Sequence, residues 1–268
     1  MKTLLRLVVA TLMFLTATAY AEDLFSNNKP IPFEFGRPLA ASDTIGGYPI
    51  WQGDGKWQLM HLEVNTTASR RGPGALEPNL IPIPLGRLYL IQAEQRKLVS
   101  SMEVIANLAQ AWTEYWSGEP CKSEDFLWKK ALSDHFADLN CVSLSHVTGF
   151  QFYPLFKPYL TKLRQENIDL PPTVLAITVS RYGTNGRLLF VQVIVNPEPY
   201  GFQRETGQVW AANPWHKEFA LKDPKKKEFI DQLAKWAEAF AVRVGGPAFG
   251  KDAQAFSGLP SYHVSFQR

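Results

Sequence analysis

Two strand-length runs, Thr173–Tyr182 and Arg187–Asn196, flank Gly183-Thr184-Asn185-Gly186. Both runs are dense in β-branched residues. Asn-Gly tolerates the positive φ angles that a tight hairpin turn demands. A segment of this kind commits the chain to antiparallel pairing. The pattern recurs at Leu88–Glu94 and Lys97–Ile105, on either side of Gln95-Arg96. Trp57–Val64 alternates as a strand, with Met60, Leu62 and Val64 on one face and Leu59, His61 and Glu63 on the other. Cys141–Phe150 does the same: Val142, Leu144, His146 and Thr148 share a face, opposite Ser143, Ser145 and Val147. Hairpins outnumber strand–helix–strand crossovers. The fold class expected is therefore α+β, an antiparallel sheet with helices packed on its face or faces, in a single domain.

Four helices are expected. Lys225–Val244 carries Phe229, Leu233, Trp236, Ala237 and Phe240 on one stripe, opens after Asp223-Pro224 and stops at Gly245-Gly246-Pro247. Tyr153–Glu166 has Leu155, Tyr159, Leu160 and Leu163 at helical spacing. Leu108–Trp116 reads as a short helix bearing Trp112, Tyr115 and Trp116. Ser123–Leu139 reads as another, with Ser123-Glu124-Asp125 offering N-cap chemistry. Residues 22–56 are Pro- and Gly-rich and are expected as an extended lead-in to an α+β domain at 57–268, packing Phe33, Phe35 and Trp51 onto it. Residues 65–85 are expected as a long loop whose Arg70-Arg71 pair is open to an anionic ligand. Residues 197–221 read as irregular, and the tail as a short strand at Tyr262–Phe266.

Residues 1–21 have the three parts of a secretory signal. Lys2 and Arg6 are the basic start, Leu4 to Leu15 the apolar core, and Ala19-Tyr20-Ala21 the small-residue cleavage site. The apolar core is too short to span a bilayer. The expected location is periplasmic or secreted, with cleavage after Ala21 and no stable membrane insertion afterwards. Cys121 and Cys141 are the two cysteines of the chain. An oxidising compartment lets them pair, and no CxxC or HxxxH spacing offers a zinc set. Removing residues 1–21 lowers the net charge from +3 to +1, because Lys2 and Arg6 leave with them. That near-neutral balance argues against nucleic acid as a partner.

No nucleophile elbow, dinucleotide or phosphate-loop fingerprint, or His-Glu-x-x-His motif occurs in the chain. No cofactor is expected. The most suggestive residue is His216, in the irregular run Asn213-Pro214-Trp215-His216-Lys217-Glu218. With Glu218 or Glu198 it is a candidate catalytic pair for a hydrolase, since imidazole and carboxylate together do acid–base work near neutral pH. The alternative at the same place is that Trp215 anchors the loop and His216 caps a turn. His61 and His146 lie in strands and could meet across the sheet, while His135 and His263 stand apart. Trp210, Trp215 and His216 are the candidate binding residues, because loops carry function more often than element interiors.

Several of these patterns fall together: Gly118-Glu119-Pro120-Cys121, Asn140-Cys141, Asn196-Pro197-Glu198, Asn213-Pro214-Trp215-His216, and Asp223-Pro224 leading to Trp236. Across residues 110–245 the chain resembles a group of bacterial secreted or periplasmic proteins without an assigned activity. The resemblance implies no reaction. It implies that the cystine and the Trp-His loop belong to one design. The sequence thus leads to an exported domain that binds a small ligand or an envelope protein, with a hydrolase built around His216 as the alternative.

Overall fold

The computed structural model describes residues 22–53, 56–71, 81–110, 114–116, 119–135, 137–150, 157–207, 209–259 and 262. Four short strands and an edge strand come first: β1 (Phe25–Ser26) pairs β2 (Lys29–Pro30), β3 (Arg37–Pro38) joins the main sheet, and β4 (Thr44–Ile45) pairs β5 (Tyr48–Pro49). The main sheet then takes β6 (Gln58–Arg71), β7 (Ile81–Glu94), β8 (Lys97–Asn107), β9 (Glu114–Tyr115), β10 (Trp128–His135), β11 (Asp138–Thr148), β12 (Thr173–Gly183) and β13 (Leu188–Val195). Its order is β10-β11-β12-β13-β8-β7-β6-β3, with β9 on the far end of β6, and every pairing is antiparallel. Two meanders, β6-β7-β8 and β10-β11-β12-β13, are thereby joined side by side through their last strands.

The expected α+β class holds, and the two strongest hairpins form where they were read. Asn185 and Gly186 take φ of 60° and 66° in the β12–β13 turn. Gln95 and Arg96 take 49° and 62° between β7 and β8, although neither is glycine. That conformation costs free energy and needs support from its surroundings. Asp169 supplies it: its N–H donates to the Arg96 carbonyl and its own carbonyl accepts from Leu98 N–H, at 2.7 and 3.0 Å.

The sheet is covered on both faces. On one face lies α3 (Pro224–Arg243), whose Phe229, Leu233, Trp236, Ala237 and Phe240 are buried against Val142, Ile177 and Val193 of the strands. Asp223 caps this helix, its Oδ1 accepting from Lys225 and Lys226 N–H at 2.9 and 3.2 Å. A π-turn, Val244–Ala248, carries the chain past the helix end. A Cβ at Gly245 would overlap the Asn140 side-chain amide, so any larger residue there would force that amide to move. Residues 22–56 pack into the same layer: Leu24, Ile45, Tyr48 and Trp51 are buried in that core. Trp51 lies 5.1 Å from Trp236 and 5.5 Å from Phe240 by ring centroids. Phe33 and Phe35 are partly buried, as expected, Phe33 against this core and Phe35 on the opposite side. On the opposite face, α1 (Lys157–Gln165) buries Tyr159, Leu160 and Leu163 against Tyr89, Ile91, Val174 and Ile194. Full burial of each such side chain stabilises the fold by roughly 1.5–3 kcal/mol.

The cystine joins Cys121 to Cys141, with Cα atoms 5.8 Å apart. It ties the connection after β8 to the second strand of the other meander. Closing a loop of this length restricts the unfolded chain and contributes about 3 kcal/mol.

Three expectations are corrected. The helix expected over Ser123–Leu139 is absent among the described residues; Trp128–His135 is strand β10 and Asp138 already belongs to β11. The cap signal was real but local, since Ser123 Oγ accepts from Asp125 N–H at 3.2 Å and closes a turn. Pairing to the open side of β11 overrides helix propensity there, and the exposed Lys129 and Lys130 suit an edge strand. The loop expected over 65–85 is instead strand at both ends, because β6 runs to Arg71 and β7 begins at Ile81, with Thr66 opposite Pro84 and Ala68 opposite Pro82. Prolines are tolerated there because β8 stops pairing with β7 at Leu85, so no ladder donor is needed beyond it. The helix expected over Leu108–Trp116 is likewise not seen in its described part, where Glu114–Tyr115 is β9. The helix expected over Tyr153–Glu166 begins, in the described residues, at Lys157. Of the expected tail strand only Tyr262 is described, as a turn residue, and His263 lies outside the described residues.

Candidate functional site

Asn213 organises the Trp-His loop from its centre. It is 1% exposed, and its Nδ2 donates to Thr173 Oγ1 at 3.0 Å and to the Gly207 carbonyl at 3.3 Å. Its Oδ1 accepts from Trp215 N–H at 2.9 Å, and its carbonyl accepts from His216 N–H at 2.8 Å. This asparagine side chain therefore replaces backbone partners that an irregular segment lacks. Trp215 turns inward and is fully buried, with its ring 4.9 Å from Phe202 and 6.1 Å from Phe229. Lys226 Nζ sits 5.2 Å from the same indole. Of the three candidate binding residues, Trp215 is thus the anchor, turned away from solvent.

His216 begins the one-turn helix α2 (Lys217–Ala220), its Nδ1 accepting from Glu218 N–H at 3.4 Å. The loop then brings two histidines together across 70 residues of sequence. His146, on β11, lies 5.6 Å from His216 with the rings perpendicular. Trp210 stacks on His146 at 4.9 Å and 19°, and meets His216 at 4.5 Å and 84°. Phe219 continues the series, 6.2 Å from His216. Aromatic pairs of this geometry contribute about 0.5–1.5 kcal/mol each. His61 lies in a strand, β6, as read from the sequence, but the meeting with His146 that the sequence left open does not occur. It contacts Tyr89 on the α1 side of the sheet.

Both histidines are almost wholly buried. His146 Nε2 donates to the Trp210 carbonyl at 3.2 Å, which leaves Nδ1 as the acceptor of a neutral ring. That Nδ1 is buried and has no hydrogen-bond partner among the described residues. Burial lowers the His146 pKa, the bond to Trp210 partly restores it, and His216 lowers it further. The ring is accordingly neutral at pH 7. Glu218 and Glu198 do not supply a carboxylate to His216. The contact from Glu218 is its backbone N–H, and the Glu198 carboxylate pairs with Arg204 at 3.4 Å. Among the described residues no ion pair involves His216, and no group of three His, Cys, Asp or Glu side chains converges as a metal set. His135 stands at the end of β10, where its Nδ1 accepts from Ala137 N–H at 3.3 Å.

The outer side of the same loop presents apolar groups beside the exposed Glu218. Among the described residues five large hydrophobic side chains are exposed, and four of them are Val209 (67%), Trp210 (37%), Phe219 (49%) and Leu221 (38%). Asn213, Trp215, His216 and Ala220 of the same run are buried. The segment is therefore two-sided and held in place by its inner half.

A second polar cluster lies on the α1 face, and sequence reasoning missed it. The register aligns Ser143, Thr178, Gln192, Glu103, Tyr89 and His61 in one row across six strands. Glu103 is 4% exposed and pairs with Arg87 Nε at 3.0 Å. Arg87 Nη1 reaches Glu63 at 3.0 Å, and Glu63 lies 3.5 Å from His61 Nε2. Burial pushes the Glu103 carboxyl above its ordinary range, against the pull of Arg87. Burial likewise raises the Tyr89 and Tyr159 phenols, so neither serves as a base near neutral pH. The signal available in the sequence was Glu103 itself, a carboxylate inside the otherwise uncharged run Leu98–Ala106. Arg87 is engaged by carboxylates on two sides, which is the arrangement of a structural ion network.

Compared with protein-family models, curated proteins and solved structures, the chain finds no match. The reading of its site therefore rests on geometry.

Proposed function

We propose that this chain is exported to the bacterial envelope and works there as a non-catalytic domain that binds a ligand or partner. The observation that carries the proposal is the two-sided 209–221 segment: four exposed apolar side chains on a platform fixed from beneath by Asn213, Trp215 and the His146–His216 pair. Exposed apolar side chains gathered on one short supported segment support the reading of an interaction site. Export is supported by the residue 1–21 pattern and by the cystine, which persists in oxidising compartments. Among the described residues no helix is long and apolar enough to cross a membrane.

The test is thermal unfolding of the wild type and of Trp210→Ala against peptidoglycan fragments, phospholipid dispersions and divalent metal ions. A rise in Tm with one of these, absent in the variant, supports the binding face. No shift with any of them, together with turnover of an envelope substrate that survives Trp210→Ala, overturns it. Sequencing the N-terminus of the protein recovered from its host tests export, with Glu22 the expected first residue.

A further inference from the structure

We infer that the 209–221 face docks on an anionic lipid surface, an inference that rests on the binding-face reading above and names its partner. Three features converge on it. First, the exposed side chains are Trp, Phe, Leu and Val, the residues that settle at the boundary between headgroups and acyl chains. Second, the charge around them is biased. Residues 209–227 hold five lysines (Lys217, Lys222, Lys225, Lys226, Lys227) against two carboxylates, Glu218 and Asp223. Lys226 pairs with Glu205 and Lys227 with Asp231, which leaves Lys217, Lys222 and Lys225 as the cations of this stretch outside any ion pair among the described residues. Lys222 is exposed next to Leu221, and Asp223 is occupied capping α3. Basic residues close to an anionic bilayer are attracted within a Debye length, and the apolar groups then hold the contact.

Third, the apolar groups project from an anchored backbone. The buried Trp215 and Ala220 fix the backbone from which Trp210 and Phe219 project, and Trp210 is propped on the His146 ring. Shallow seating needs no spanning segment, which agrees with the absence of a membrane-crossing helix among the described residues.

The experiment is co-sedimentation of the host-processed protein with vesicles of equimolar phosphatidylglycerol and phosphatidylethanolamine, and with vesicles of phosphatidylcholine. Binding to the anionic vesicles, weakened by salt and weak on phosphatidylcholine, is expected. The double variant Trp210→Ala, Phe219→Ser should lower the apparent partition by about tenfold or more, since binding scales with buried apolar area. Lys222→Glu should weaken binding to the anionic vesicles alone. Val242→Ser, which removes the one other exposed large hydrophobic group among the described residues, should leave binding unchanged. Circular dichroism melts confirm that each variant is folded. Failure to sediment with anionic vesicles overturns the inference, as does equal sedimentation of the double variant. So does a self-dimer, seen by sedimentation equilibrium, that the double variant abolishes. If vesicles fail while a peptidoglycan fragment still shifts Tm in the wild type and not in Trp210→Ala, the lipid assignment falls and the binding face stands. If no ligand responds to these variants, both fall.

Discussion

Glu103 and His146 are both more than nine-tenths buried on the same sheet, and they meet desolvation in opposite ways. Glu103 sits on the α1 side in a chain of charges, with Arg87 between it and Glu63. His146 sits on the α3 side among Trp210 and His216, uncharged, with one nitrogen bonded to a carbonyl and the other without a partner among the described residues. The first region is closed upon itself, because its cation is already shared by two carboxylates. The second leaves a buried acceptor and an exposed aromatic above it. What the difference teaches is that buried polarity by itself does not locate a binding face. The regions part on whether the buried group has an ion partner, as Glu103 has in Arg87 although Arg87 Nε and Glu103 Oε1 form no aligned hydrogen bond, and on whether the layer above it is apolar and exposed.

The largest effect expected is at the closed network. Arg87→Met leaves Glu103 buried without its counter-ion and should cost about 3–5 kcal/mol at neutral pH by urea unfolding. Part of that loss should return on acidification, as Glu103 takes up a proton. A loss below about 1 kcal/mol would mean the network is not closed and would erase the contrast with His146.

Next is the cystine, whose Cys141 shares the α1-side face with Ser143. Reduction, or the pair Cys121→Ser and Cys141→Ser, should lower stability by about 3 kcal/mol. Vesicle binding by the 209–221 face should persist at temperatures where the variant stays folded.

The two buried groups should also differ in pH dependence. For Glu103 the folded pKa is raised, so its contribution is present below the ordinary carboxylate range and lost as pH rises through the folded value. Glu103→Gln should remove that loss, giving a stability curve that falls less on the way up to neutral pH. For His146 the folded pKa is lowered, so its contribution is present above the ordinary histidine range and lost as pH falls toward the folded value. His146→Phe should flatten the curve on the acid side of that range and change stability at neutral pH by about 1 kcal/mol, since an apolar ring of similar shape replaces a half-satisfied one. Identical pH curves for His146→Phe and wild type would show that His146 is not buried neutral.

The smallest effect on stability is expected at Trp210. Trp210→Ala removes the stack on His146 and should cost about 1 kcal/mol or less, while abolishing the ligand-dependent rise in Tm. A larger stability cost with unchanged ligand response would return Trp210 to the core and leave the binding face without its main residue.

Much of the local structure was legible in the chain. The β12–β13 hairpin follows from β-branched runs around Asn185-Gly186. α3 follows from its apolar stripe and the Asp223 cap. Both signals arise between residues close in sequence, where side-chain periodicity and turn chemistry act alone. Phe33, Phe35 and Trp51 were read as packing onto the domain, and they do. The errors share a cause. Ser123–Leu139 has the cap and spacing of a helix, but an unpaired edge of β11 was waiting for a strand. Residues 65–71 and 81–85 look like loop because prolines and hydroxyl residues dominate, yet they pair with each other across the sheet.

By itself, then, the sequence determined the α+β class, the pairing of Cys121 with Cys141, the hairpins and the long helix, since each depends on short-range pattern or on the one available partner. The tertiary structure alone decided that β8 lies against β13. It decided that Glu103 finds Arg87, and that His146 meets His216 rather than His61. It also turned Trp215 inward and left Trp210 in water. These are long-range outcomes. They are set by which faces two meanders must bury against α1 and α3, and no window of sequence contains both sides of that contact.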